Sequence, residues 1–449
     1  MSAPIDHPTL AELASGRTRP GQGLHDRPYW WEAAPRPDAL DLPLPPSADV
    51  VVIGSGFTGL SAALTLLRRG RKVLVLDKDV SGYGASTRNG GQIGSGNQKF
   101  RVKTLVALRG QAKAEAMLRE GLAMLEFIAT LVETERIDCH FVRCGRFRGA
   151  MQPEHYEAMA RDLDDLRAVT GVESVMVPRA EQHREIGTDL FHGGSVLPAD
   201  ASLHPGLYHR GLQARVEDAG GLVLGRTPVI AVSPEGSAFT VATSRGPVRC
   251  RNVIVATNGY TDRSLPELRR RIVPIGSAII ATDVIDEPVF ARLIPAGRVY
   301  GNTNRVFYYF RAAPGERRIL WGGRAARLPA EHSPARYAHL ARDLLSVFPE
   351  LGSVRVTHGW EGRIGYTYDE VPHLGQTSAG VHYALGYCGT GVSRSTYFGH
   401  KIGLQVAGAP EGRTAFDDLP FPAYPFRAAA VAAVPVIEAV YRFRDRHNV

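Results

Sequence analysis

Three features of the 449-residue sequence predict an α/β chain in two interleaved parts, one on a parallel sheet and one on an antiparallel sheet. The first is a glycine-patterned turn, GSGFTG, set between two β-branched apolar runs, as expected where a buried parallel strand hands over to a helix. The second is the alternation of SAIIATD, RVFYYFR and RRILWGG, which suits antiparallel strands. The third is that parallel-type strands return late in the chain, in NVIVATN and VHYALGY, after long stretches of a different character.

The elements follow in order. Residues 1–47 are rich in proline and small residues and read as an extended arm with an aromatic anchor at Tyr29, Trp30 and Trp31. Residues 49–53 form the first strand; LSAALTLLRRG has apolar residues at helical spacing, and KVLVLD is the second buried strand, completing a βαβ unit. A single long helix is expected over 104–135 and a second over 153–169, ending before Gly171. LHPGLYHRGLQARVEDAGG reads as a helix closed by Gly-Gly, followed by strands in LVLGRTPVIAV and FTVATS. A helix near 335–348, the segment VRVTHGWEGRIGYTYDEVPHLG, and a helix over 392–406 opened by CGTG complete the pattern. The division is therefore 48–100, 193–262 and 352–427 for a discontinuous Rossmann-type dinucleotide-binding domain, with 101–192 and 263–351 as an α+β substrate or cap domain. Residues 428–449 form a C-terminal amphipathic helix.

Composition narrows the class. Hydrophobic content of 44% and charged content of 22% are ordinary for a folded globular chain. The 53 Lys and Arg against 45 Asp and Glu give a net charge of +8, but the basic residues are scattered, so a solvated basic surface is expected and no nucleic acid. Cys139, Cys144, Cys250 and Cys388 lie far apart, which indicates neither a metal site nor a disulfide framework and fits reduced thiols in a cytoplasm. No segment has the length of a membrane span; the stretch 428–440, followed by RFRDRH, leaves open a helix lying on the protein or on a membrane surface.

In GSGFTG, Gly54 permits the tight turn, Gly56 lets backbone approach a pyrophosphate, and Gly59 packs helix on strand, with Phe57 and Thr58 opening the helix whose N-terminus faces the phosphate. Asp77, beside Lys78, closes the second strand 23 residues after Gly54, where a carboxylate accepts hydrogen bonds from ribose hydroxyls. This spacing specifies a dinucleotide without choosing between FAD and NAD.

The segment GYGASTRNGGQ, residues 82–92, resembles the GASxRNGGQ segment of the D-amino-acid-oxidase-like family, and within it the gamma-glutamylputrescine oxidase and glycine or sarcosine oxidase branches. The resemblance continues through HGGSVLPADASLHP, IVATNGYT, PIGSAIIATD, YYFR, WGGR and GYCGTGVSRSTYFGHKIG. It implies a glutathione-reductase-2-like fold and bound FAD. It places Ser86, Arg88, Asn89, Gly90, Gly91 and Gln92 along the pyrophosphate, ribityl chain and isoalloxazine. It also puts Val229 beside the adenine, and Ala256, Thr257 and Gly259 at the second nucleotide-binding strand end. Family members with a covalent cysteinyl flavin carry a cysteine just before the region matching 366–372, where this chain has Arg363, so non-covalent FAD is expected. Gly389, Thr390, Gly391 and Val392 open a helix whose dipole suits the electron-rich edge of a reduced flavin.

For the reaction, Tyr308, Tyr309 and Phe310 alternate on a predicted strand, so that Tyr309 can face the flavin, with Trp321, Trp360 and Tyr366 as an aromatic wall. Arg311, Arg324, Arg363 and Arg394 are candidate carboxylate forks, Arg363 first. His373 and His204 are candidate acid-base groups set against a structural role. The resemblance implies oxidation of a carbon-nitrogen bond in a small amine or amino acid by hydride transfer to flavin N5, with an imine hydrolysed afterwards and oxygen giving hydrogen peroxide. The absence of a lysine in RRILWGG keeps open a dehydrogenase that passes electrons to a quinone or carrier. An RNA-modifying flavoprotein and a non-catalytic FAD binder are the alternatives from other classes.

Overall fold

The computed structural model describes residues 5–19, 21–36, 42–94, 100–325 and 333–447. Parts of the expected arm, of 48–100, of 263–351 and of the C-terminal helix therefore lie outside the described residues. The strands Ser47–Ile53 and Val73–Leu76 pair in parallel and flank the helix Phe57–Leu67. Val50 and Val52 enter the core on one face while Val51 and Ile53 enter the core on the other, which is why the run is apolar at every position. The sheet runs His373–Gln376, His382–Leu385, Gly246–Val255, Ser47–Ile53, Val73–Leu76, Leu222–Leu224; Ala238–Thr243 also pairs antiparallel with Gly246–Val255 and carries Val229–Glu235 antiparallel on its other edge. This is the predicted α/β unit.

The second sheet runs Val356–Tyr366, Val273–Thr282, Ile319–Arg324, Tyr309–Ala312, Val299–Asn302, Arg146–Gly149, Gly194–Leu197, Val175–Val177. All its pairings are antiparallel except that of Val299–Asn302 with Arg146–Gly149. One face is packed by Tyr300, Tyr308, Phe310 and Trp321, with Phe310 and Trp321 stacked at 4.4 Å.

Three expectations change. Val356–Tyr366 and Gly194–Leu197, expected with the dinucleotide-binding part, hydrogen-bond along the antiparallel sheet. Sequence position did not reveal the first because its partner, Val273–Thr282, lies far earlier in the chain, whereas Gly194–Leu197 pairs with the nearby Val175–Val177. The helix expected over 104–135 is broken into Val102–Arg109 and Gln111–Thr134 at Gly110, whose φ of +78° and ψ of 158° no helix accommodates. The break leaves Arg109 free to ion-pair with Asp369 at 2.6 Å. The arm is not simply extended. It forms the short helices Leu10–Ser15, closed by a Thr9 and Glu12 capping box, and Trp30–Ala33. Leu10, Leu13 and Trp30 are fully buried.

The helix Arg427–His447 lies on the surface with no buried residue; Val436, Ile437, Val440, Tyr441 and Phe443 are exposed. Among the described residues no helix is long and apolar enough to cross a membrane.

Candidate active site

The turn after Ser47–Ile53 needs its glycines. Gly54 has φ +106°, and a Cβ on Gly59 would fall 1.9 Å from the Gly54 carbonyl oxygen, so the helix Phe57–Leu67 meets its strand only without side chains there. Gly56 offers this helix no N-cap side chain. The Phe57 N–H instead donates to Ser86 Oγ at 2.9 Å, which fastens the GASTRNGG segment to the helix N-terminus. Asp77 lies at the end of the second strand, where Oδ2 accepts from the Ser55 N–H at 2.9 Å and Ser55 Oγ at 2.7 Å. Burial pushes its pKa up against the pull of those hydrogen bonds.

The loop of residues 85–92 is organised by its own side chains. Asn89 Nδ2 donates to the Ala85 and Ser86 carbonyls, and Asn89 Oδ1 accepts from the Gly91 N–H at 2.8 Å. The Asn89 side chain therefore shapes the loop from within. Gly91, at φ +66°, approaches the Leu203 carbonyl so closely that a Cβ would lie 2.1 Å from it. Arg311 Nη1 donates to both the Gly91 and Leu203 carbonyls, at 3.1 and 2.9 Å. Arg311 is thus a buried clamp between two loops, its guanidinium spent on backbone carbonyls and not open as the carboxylate fork expected from the sequence. Arg88 bridges the Tyr83 and Glu361 carbonyls and lies over the rings of Trp31 and Tyr83.

A second helix, Gly391–Val406, brings another N-terminus without a side-chain cap to the same place, entered through Gly389 at φ +94°. It packs on Phe57–Leu67, with Tyr387 Oη 2.7 Å from Thr58 Oγ1. Two helix N-termini with partial positive charge thus border one cavity. Cys388 Sγ donates to the Gly386 carbonyl at 3.3 Å.

That cavity, of about 570 Å³, is lined by Gly54, Gly56, Phe57, Thr58, Asp77, Lys78, Ser86, Arg88, Asn89, Gly90, Gln92, Val229, Ala256, Thr257, Gly389, Thr390, Gly391 and Val392. Tyr309 and Arg363 also line it. Gly59, Gly91 and Gly259 stand behind the wall; Gly259 faces the backbone of Arg363, Ile364 and Gly365. His373 does not reach the cavity. Its strand turns it to the other side, where Nε2 meets Asp369 Oδ1 at 2.9 Å and the ring stacks on Phe421 at 4.2 Å. His204 caps the helix Pro205–Asp218, accepting from the Leu207 N–H, and burial lowers its pKa to about 4.

On the antiparallel sheet, strand alternation sends Tyr309 to the cavity and Tyr308 and Phe310 to the core behind. Trp321 is buried on that far side, and Trp360 is buried with its Nε1 donating to the Arg88 carbonyl, so of the expected aromatic wall only Tyr366 joins Tyr309 on the cavity. Where a lysine was sought, Ile319–Arg324 presents Gly323 and Arg324. Arg363 is exposed and lies over Tyr260. Two arginines missed from the sequence, Arg146 and Arg148, also line the cavity. Their signal was present in RFRG, where charged residues flank the buried Phe147 at the two-residue period of a strand.

Residues 49–403 match the model of a family described as DAO, FAD dependent oxidoreductase. The chain belongs to that family. Relatives of this DAO-family chain include the probable oxidoreductase OrdL of Haemophilus influenzae, 29% identical over 440 residues, covering 94% of this chain and 98% of that protein. The gamma-glutamylputrescine oxidoreductase of Escherichia coli is 28% identical over 410 residues, covering 90% and 94%. The fold matches the crystal structure of glycine oxidase from Geobacillus kaustophilus with a TM-score of 0.71 at 19% identity, covering 85% of this chain and 99% of that one. The protein is an FAD-dependent oxidoreductase. The residues present fit FAD: the Gly54 turn, two helix N-termini without a side-chain capping hydrogen bond, and the half-buried acceptor Asp77 border one cavity.

Proposed function

We propose that the protein oxidises a carbon-nitrogen bond of a small amine or amino acid, in the manner of a gamma-glutamylputrescine oxidase, with oxygen as the final acceptor. Bound FAD, held without a covalent link, supplies the two-electron acceptor for the carbon beside the nitrogen. The observation that carries this reading is the approach of Tyr309 to Gly90. A Cβ on Gly90 would lie 2.9 Å from Tyr309 Cε2, so the substrate sheet closes directly on the dinucleotide-binding loop.

The chain's own residues favour a neutral amine. Arg146, Arg148 and Arg324 stand on the sheet side of the cavity, against Asp200 and Glu438 paired with two of them. This excess positive charge disfavours a substrate ammonium and draws its proton off to solvent. Tyr309 does not serve as the base. Ser277 Oγ donates to the Gly323 carbonyl at 3.0 Å, so the Tyr309 hydroxyl at 3.2 Å donates to Ser277, and burial raises its pKa. Tyr309 orients the substrate and excludes water.

Anaerobic mixing of the holoenzyme with a polyamine conjugate, an N-methyl amino acid and plain amino acids tests the reading through loss of flavin absorbance. Bleaching by one of them supports it, and absence of bleaching by all overturns it. Air then separates acceptors, because peroxide in step with substrate supports the oxidase. A second reading, a dehydrogenase with a membrane quinone as acceptor, is favoured by the helix Arg427–His447. Its two acids face inward, Glu438 to Arg324 at 3.7 Å and Asp445 to the Arg305 and Val306 N–H groups. Its outer side carries Val436, Val440 and Phe443 with Arg444 and Arg446. Quinone reduction that rises on anionic vesicles, with no peroxide, supports this second reading.

A further inference from the structure

The arginines of the cavity differ in what they already hold. Arg146 Nε donates to Asp200 Oδ2 at 2.7 Å and its Nη1 to Gln92 Oε1 at 2.9 Å. Arg324 is paired with Glu438 and donates to the Tyr366 hydroxyl at 3.0 Å. Arg148 holds much less. Its Nε donates to the Asn302 carbonyl at 3.3 Å, and among the described residues its two terminal nitrogens have neither a carboxylate nor another hydrogen-bond acceptor.

Arg148 is exposed on its strand and lines the cavity. Desolvation is the largest influence on it and depresses its pKa, with Arg146 adding to the effect and Asp162 opposing it. A guanidinium stays protonated there, so a charged two-pronged donor whose terminal nitrogens hold no hydrogen bond among the described residues borders the site.

Strand pairing fixes what lies beside it. Arg148 pairs with Gly301, Gly301 with Tyr309, and Tyr309 with Gly322. Paired residues share a face, so Arg148 and Tyr309 rise from the same side of the sheet two strands apart, about 10 Å at strand spacing. The residue between them is a glycine, which leaves a slot floored by backbone, and Tyr309 at its far end packs on Gly90.

We propose that Arg148 anchors the carboxylate of an elongated substrate, an amine whose anionic group lies several bonds from the carbon that is oxidised. In an α-amino acid the carboxylate is one bond from that carbon and does not span the slot. The proposal rests on the amine-oxidation reading for the word amine, but not for the anion.

The test uses glutarate, a dicarboxylate with no oxidisable amine, titrated into FAD-loaded wild type, Arg148→Met and Arg148→Lys while the visible flavin band is followed. Wild type is expected to bind with a band shift, Arg148→Met to bind at least about 50-fold more weakly, and Arg148→Lys to fall between, since a charge-assisted fork is lost in steps. Wild type that shows no glutarate binding, or Arg148→Met that binds as wild type does, overturns the anchor. If Arg148→Met retains no FAD, the Lys variant decides alone, and binding equal to wild type overturns the proposal. Turnover supplies a second readout: the Met variant is expected to raise KM for 4-aminobutyrate much more than KM for butylamine, and an equal change for both overturns the anchor. Glutarate binding that depends on Arg148 in a protein that oxidises no amine would sink the amine reading and leave the anchor standing.

Discussion

A methyl group at Gly59 would sit 1.9 Å from the Gly54 carbonyl, and no flexible side chain stands there to yield. Gly59→Ala is therefore expected to lose most bound flavin, measured at 450 nm in the purified protein, and to destabilise the fold by about 3 kcal/mol. Tyr309→Phe removes one hydroxyl that donates to Ser277. It is expected to cost about 1 kcal/mol in stability and to lower kcat/KM by less than about tenfold. The pH profile of kcat/KM should keep its shape, because the phenol titrates above the working range; a lost limb would make Tyr309 the base. His209 gives a pH signature. Arg36 donates to its Nδ1 at 3.0 Å, so its Nε2 carries the proton and donates to the Ser55 carbonyl in the glycine turn at 2.8 Å. Burial, with Arg36, lowers its pKa to about 3. The unfolded chain, with an ordinary histidine pKa of about 6.5, takes up the proton first, so this group's stabilisation is present above that pH and is lost as pH falls from about 6.5 towards 3. Thermal melts between pH 7 and pH 4.5 should fall more steeply in wild type than in His209→Gln.

At the scale of elements, apolar periodicity located the βαβ unit and both N-terminal glycine turns well, because those features are local and backbone geometry demands particular residue types. Its failures were at interruptions. The helix expected over 104–135 had the right apolar spacing on both sides of Gly110, and spacing alone does not register a residue at φ +78°. Gly110→Ala meets no neighbouring atom within 4 Å, so any cost is backbone strain, expected at about 1–3 kcal/mol in chemical denaturation. Near-zero cost would mean the two helices readily fuse. Catalytic candidates fared unevenly for a similar reason. Tyr309 was found from alternation along one strand, while His373 was placed over the flavin although its strand turns it towards Phe421.

The whole molecule is held together across the site by the N-terminal segment. Trp30 is fully buried between the two parts, its Nε1 donating to the Asn89 carbonyl at 2.7 Å, and Trp31 Nε1 donates to Thr87 Oγ1 at 2.9 Å. Trp30→Ala is expected to cost about 3–5 kcal/mol and to weaken FAD retention together with stability, since it releases the loop of residues 85–92; differential scanning fluorimetry with and without added FAD checks both. What the sequence by itself determined was the α/β class, the FAD-dependent oxidoreductase family, and the loops that border the cavity. These rest on short segments in which a turn, a helix start or a close approach admits few residue types. Only the tertiary structure decided which side chains share the cavity. Arg148 comes beside Gly301 and Tyr309 through the pairing of two strands far apart in the chain, and Arg311 is held away from a carboxylate-binding role by contacts to the distant Gly91 and Leu203 carbonyls. A side chain's face follows from its own strand, but its neighbours follow from register, and register is set by the packing of the whole sheet.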